Sequence, residues 1–193
     1  MSDTLFFIEI DILRHPFNRE EYQRVMDLYH RAFPKRERIP FSFLEKRADR
    51  KQADFFGIYE NDILLGIMYC VYDGDLIYIF WFAINDAVRG QGCGSRILRE
   101  FAEQNKDKRI LLNIEDTEEP CDNPEQRKSR KNFYLRNGFQ ECGYRVREKG
   151  GSFEMLSLGG KVEKEEYEHL LLQYFGRFWF AFYYGLHREK RER

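Results

Sequence analysis

The residues best suited to chemistry in this chain are Arg89-Gly90-Gln91-Gly92-Cys93-Gly94-Ser95. Three glycines in this short run let the backbone turn sharply and come close to a ligand. Ile97, Leu98, Phe101 and Ala102 follow at helical spacing, which predicts an amphipathic helix directly after the turn. The first turn of such a helix presents unpaired N–H groups and the positive end of its dipole. Together these features make a cradle for a pyrophosphate, and Arg89 adds a positive charge. Two other nucleotide motifs are excluded. The Gly-Lys-Ser/Thr that ends a Walker A loop is absent. The GxGxxG fingerprint fails in both registers, because its third glycine would fall on Ser95 or on Ile97.

The elements that must hold this turn can be read along the chain. Residues 4–12 are β-branched and aromatic and predict a strand. Asn18 with Glu21 forms a capping-box signature for a helix, whose apolar stripe runs Tyr22, Val25, Met26, Tyr29 and Phe33 and ends at Pro34. A short helix over 41–50 follows, then strands over 55–59, 63–72 and 76–84. Asn61-Asp62 and Asp73-Gly74 supply the turns. The 76–84 strand is apolar almost throughout, which predicts burial on both faces. After the glycine turn and its helix comes a strand over 109–114. Asn123-Pro124-Glu125-Gln126 then opens another helix, with Gly138 as its C-terminal cap. Strands over 139–147 and 152–158 flank Lys149-Gly150-Gly151, and a helix spans 164–175. The order β-α-α-β-β-β-α-β-α-β-β-α is an α/β (α+β) chain with a mixed sheet.

Residues 4–158 resemble the GNAT superfamily of N-acetyltransferases. That family carries [Arg/Gln]-x-x-Gly-x-[Gly/Ala] between its fourth strand and third helix, and Arg89, Gly92 and Gly94 meet the pattern in register. Phe133-Tyr134-Leu135-Arg136-Asn137-Gly138-Phe139 resembles the FY-x-x-x-GF run that ends the family's fourth helix. Two departures stand out. Arg127 occupies the position where the family often has Asn, and the strand Tyr78-Ile79-Phe80-Trp81-Phe82 lacks the Glu that many members use as a base.

The resemblance implies a mostly antiparallel sheet flanked by helices and splayed at the coenzyme site, with acetyl-CoA as co-substrate. It implies that Arg89, Gly90, Gln91, Gly92, Cys93, Gly94 and Ser95 hold the diphosphate. Main-chain groups of Phe82, Ala83 and Ile84 would hold the pantetheine arm like an added strand. Tyr134 would protonate the departing thiolate; the alternative is a core tyrosine between Phe133 and Leu135. Glu115, at the end of the 109–114 strand, is the candidate base; the alternative is a solvated carboxylate. Cys93 is read as a small residue, because transfer in this family passes directly between two bound substrates. The expected reaction moves an acetyl group to a primary amine of a small molecule or peptide. Glu115-Asp116-Thr117-Glu118-Glu119 is strongly acidic, which predicts a cationic acceptor. The two departures leave a second reading open: a non-catalytic acyl-CoA-binding sensor with the same fold.

Composition sets the outer bounds. The 193 residues carry 42 % hydrophobic and 34 % charged residues, the profile of one folded domain. A net charge of −1 gives no electrostatic case for nucleic acid. Cys70, Cys93, Cys121 and Cys142 show no CxxC spacing and form no array with the histidines, so no metal is expected. There is no signal-peptide pattern at Met1-Ser2-Asp3-Thr4 and no apolar run near the roughly 20 residues of a membrane span. The expected location is therefore cytoplasmic. The boundaries drawn are a transferase domain over 1–160 and a C-terminal extension over 161–193. Residues 174–185 of the extension are dense in aromatic rings. They read as a segment packed on the sheet or over the acceptor cleft, as a homodimer interface, or as a membrane-surface contact alongside the basic tail Lys190-Arg191-Arg193.

Overall fold

The computed structural model describes residues 10–35, 38–50, 52–148 and 151–185. The elements run β1 (Asp11–Arg14), α1 (Arg19–Ala32), α2 (Phe41–Asp49), β2 (Ala53–Glu60), β3 (Ile63–Asp73) and β4 (Leu76–Ile84). A single 3-10 turn, Asp86–Val88, leads to α3 (Cys93–Gln104). Then come β5 (Arg109–Glu115), α4 (Pro124–Arg136), β6 (Gln140–Glu148), β7 (Gly151–Leu158) and α5 (Lys164–Gly185). The strand expected over 4–12 pairs over 11–14, and its first residues lie outside the described ones, as do Lys149 and Gly150 of the expected β6–β7 turn.

Local signals act where they stand in the sequence. The Asn18 side chain accepts from the N–H groups of Glu20 and Glu21, while Glu21 reaches back to the Asn18 N–H at 2.9 Å, closing the capping box. At the start of α4 the sequence makes Asn123 the expected capping residue, and the structure corrects this. The Asn123 amide donates to Gln126 at 2.9 Å and caps no helix N–H, so Pro124 in the first turn is the working start signal.

The seven strands form one sheet in the order β1-β2-β3-β4-β5-β7-β6. Every neighbouring pair is antiparallel except β4 and β5, which run parallel. Alternation along each strand divides the core between the two faces. One face packs α1, α2 and α5 over Phe55, Tyr69, Tyr78, Trp81 and Leu111. The other packs α3 and α4 over Met68, Ile77, Ile79, Leu112 and Leu156. Val162, Tyr167, Leu170, Leu171, Tyr174 and Phe175 are buried in the first core, so this part of the C-terminal extension completes the face it covers. Gly176, at φ 76° and ψ 161°, breaks α5 just beyond them.

Between α1 and α2, the main chain of Ile39 is held by the Tyr29 side chain. The Tyr29 hydroxyl donates to the Ile39 carbonyl at 3.0 Å and accepts from the Ile39 N–H at 3.1 Å. The same ring packs edge-on against Trp81 of β4, 5.5 Å between centroids. Tyr29→Phe keeps the ring and leaves both buried Ile39 groups without this partner. It is expected to destabilise the protein by about 2 kcal/mol, read as a lower urea midpoint at unchanged slope.

Candidate active site

The site begins where β4 and β5 stop pairing. They are joined only by Leu76 with Arg109, Ile77 with Ile110, and Tyr78 with Leu111. Residues 79–84 and 112–115 continue past the last pair, which opens a wedge in the sheet. The expected splay is thus present. Its cause lies in β4. Tyr69 pairs with Trp81 and Cys70 with Ile79, so Phe80 is an extra residue. A bulge of this kind bends its strand and sharpens its twist. It also breaks the alternation, and Phe80 and Trp81 both pack on the α1/α2/α5 face, 4.3 Å between ring centroids. The edge of β4 that faces the gap, including Phe82, Ala83 and Ile84, is available to an added strand-like ligand. The Ile84 carbonyl already accepts from Arg89 Nε at 3.3 Å.

The glycine turn closes one side of the wedge. Gly90 and Gly92 lie at φ 78° and 79°, a region that other residues rarely adopt. A Cβ at either one would meet open space, which is where a ligand can approach the backbone. Gly92 is the N-cap of α3 and no side chain caps that helix, so its first N–H groups remain free for an anion. Gly94 has a different reason: a Cβ there would lie 3.1 Å from Phe133 and 3.4 Å from Ile84, so it lets α3 pack closely on α4 and β4. Asn137 donates to Ser95 Oγ at 3.1 Å and ties the same two helices. Cys93 is buried, Gln91 reaches the Ala87 carbonyl at 3.5 Å, and Arg89 is held by Asp86 at 2.7 Å.

Tyr134 lies on the α3/α4 face, edge-on to Phe133 and Phe139 at 5.1 and 5.5 Å. Burial pushes the phenol up to about 12, with the Arg130 charge opposing. The group is therefore protonated at neutral pH and is a weaker acid than a free phenol.

Glu115 is the last residue of β5, one position inside the strand expected to end before it. One carboxylate oxygen accepts a close contact from Arg130, and the other lies 3.7 Å from Arg127 Nε. Arg127 also donates to the Asp116 carbonyl at 2.8 Å. The residue at the family's Asn position thus fastens α4 to the end of β5.

Each carboxylate of the acidic loop has a cationic partner, with Arg127 and Arg145 each shared between two. Asp116 and Glu118 pair with Arg145 at 2.9 and 2.6 Å, and Glu119 lies 3.9 Å from Arg127. Burial works to raise the Asp116 carboxyl, but the Glu118 N–H, the Ser152 hydroxyl and Arg145 outweigh it and hold it below the ordinary aspartate range. Next to the loop, Glu154 accepts from Lys131 at 2.5 Å and from the Thr117 N–H and hydroxyl at 2.8 and 2.6 Å. Part of the charge that suggested a cationic acceptor is thus paired within the protein, while the Glu118 side chain stays exposed. The sequence hid this because Arg145 and Glu154 come from strands far along the chain.

Residues 51–141 match the family model described as an acetyltransferase (GNAT) domain. Comparison with curated protein sequences finds no match. Among solved structures, a putative GNAT-family acetyltransferase from Bacteroides thetaiotaomicron is 24 % identical, with 86 % of this chain and 97 % of that one covered and a TM-score of 0.70. Arabidopsis thaliana Naa50, in complex with the bisubstrate analogue CoA-Ac-MVNAL, is 16 % identical over 76 % of this chain and 97 % of its own, TM-score 0.54. A Bacillus subtilis acetyltransferase in complex with CoA is 13 % identical over 78 % and 98 %, TM-score 0.55. The bulged β4, the wedge, the glycine turn and Tyr134 all fall within the segment that is similar to the acetyltransferase (GNAT) domain model.

Proposed function

We propose that the protein moves an acetyl group from acetyl-CoA to the primary amine of a small molecule or peptide, directly between two bound substrates. The observation that carries this reading is the wedge: parallel pairing ends after Tyr78 and Leu111, beside a helix whose N-terminus no side chain caps. A pantetheine arm laid along residues 82–84 is hydrogen-bonded as a strand would be, and its diphosphate falls on the turn at 89–95. The CoA-bound relatives support that choice of co-substrate. The bulge at Phe80 takes main-chain groups of β4 out of regular pairing, and a free N–H there is suited to the thioester oxygen as it gains charge. Tyr134 donates its proton to the sulfur as the carbon–sulfur bond breaks. The loop keeps four carboxylates against three guanidinium groups, which supports a primary amine acceptor that carries positive charge.

The deciding experiment pairs acetyl-CoA calorimetry with thiol release over polyamines, amino acids, aminoglycosides and peptide N-termini. Thiol release that depends on an amine supports transfer. Tight coenzyme binding with no turnover over the whole panel would mark a sensor instead.

Two variants follow from the geometry. Gly92→Val is expected to abolish measurable acetyl-CoA binding in calorimetry while far-UV circular dichroism stays native. Its side chain fills the space at the cradle, and the positive φ adds local strain of about 1–2 kcal/mol. Tyr134→Phe is expected to lower turnover by about ten- to ten-thousand-fold with little change in coenzyme affinity. Wild-type turnover in that variant would reduce Tyr134 to a packing residue.

A further inference from the structure

On the α1/α2/α5 face, four polar side chains from four elements meet at the start of the wedge. They are Tyr78 of β4, Asn113 of β5, Glu148 of β6 and Tyr167 of α5. Tyr78 belongs to the last β4–β5 pair, and Asn113 lies two residues past its partner Leu111, in the splayed part of β5. Glu148 Oε1 accepts from the Tyr167 hydroxyl at 2.5 Å and from Asn113 Nδ2 at 3.3 Å. The Tyr78 ring packs edge-on against Tyr167, 5.2 Å between centroids, and its hydroxyl shares a hydrogen bond with Tyr167 and feels the Glu148 charge. Tyr78 and Tyr167 are 2 % and 1 % exposed. Drawing a carboxylate toward two buried phenols is costly unless donors hold it, and here two donors fix one oxygen and so orient the group. None of the steps above uses these residues.

Their placement complements Tyr134. The phenol proposed as acid belongs to the α3/α4 core, while this carboxylate is tied to Tyr167 and Asn113 on the opposite face, with the gap between β4 and β5 separating the two. β4 carries no carboxylate of its own, and Glu115 is engaged by two guanidinium groups. On the reading that the protein transfers acetyl groups, we infer that Glu148 is the base that deprotonates the acceptor ammonium, with Tyr167 and Asn113 as its positioning residues.

The step balances as follows. Glu148 takes one proton from the ammonium and later releases it to water. The freed nitrogen lone pair forms the carbon–nitrogen bond, and the carbon–sulfur electron pair goes to sulfur. Sulfur takes the Tyr134 proton, and the second proton lost from nitrogen restores Tyr134 through solvent. The titratable groups around Glu148 include Tyr78 of β4, Tyr144 of β6 and Tyr167 of α5. Burial holds Tyr78 protonated well beyond neutral pH.

The test uses the full-length protein, acetyl-CoA, and n-butylamine, spermidine, lysine and a short peptide with a free N-terminus as acceptors. Glu148→Gln keeps the size of the side chain and an oxygen for both donors. It is expected to lower kcat/KM at pH 7 by about 10²–10³-fold and to recover as pH rises toward the amine's own pKa. Its acetyl-CoA affinity by calorimetry should match the parent. Glu148→Ala should be partly rescued by added formate, a readout that a purely structural role would not move. Wild-type turnover and pH profile in Glu148→Gln would overturn the assignment. So would a loss that neither high pH nor formate restores. A parent that binds acetyl-CoA yet acetylates none of the four amines would instead overturn the transfer reading, and the base with it.

Discussion

The whole arrangement depends on how short the pairing between β4 and β5 is. Three residue pairs hold two parallel strands together, and beyond them the strands part. In a continuous sheet the backbone groups along this line would be satisfied by their neighbour. Here they border a gap that can take a ligand shaped like a strand. The bulge at Phe80 lies two residues past the last pair, where added bend and twist carry β4 away from β5. β5 does not need β4 to stay in place, because β7 pairs with it along six residues from Ile110 to Glu115.

The two faces of the sheet then acquire different tasks. On the α3/α4 face, the close fit of Gly94 against Phe133 and the Asn137 bond to Ser95 join the glycine turn to the end of α4. This ties the uncapped helix N-terminus to the helix that carries Tyr134. On the other face, α1, α2 and α5 build an aromatic wall. The Tyr69 and Tyr174 hydroxyls meet at 2.8 Å, and Arg47 lies over Phe43 and Tyr174 at 5.0 and 5.4 Å. The first half of α5 is therefore part of the floor under the proposed acceptor side, and Tyr167 within it reaches Glu148.

Charge is handled locally throughout this region. Arg127, Arg130 and Arg145 pair with Glu115, Asp116, Glu118 and Glu119 and leave one negative charge over. Half-buried ion pairs of this kind add little net stability for their number, because desolvation offsets the attraction. Their evident effect is to hold the β5–α4 loop against β6 and β7. Arg127 acts as a strut between α4 and the mouth of the wedge.

What the sequence determined is what depends on neighbours along the chain. The capping box at Asn18, the glycine turn, the amphipathic α3 and the position of Tyr134 before Gly138 all stand where their local patterns put them. Such features arise from backbone preferences and helical spacing within a few residues, so they can be read without the fold. Tertiary structure alone decided the environments. The acidity of residues 115–119 suggested an open field, until Arg145, thirty residues on, folded against it. Glu148 carried no motif at all, since its partners lie at 113 and 167 and Tyr78 joins them from 78. Electrostatic surroundings are set by which strands and helices the topology makes adjacent, and no local window contains that information.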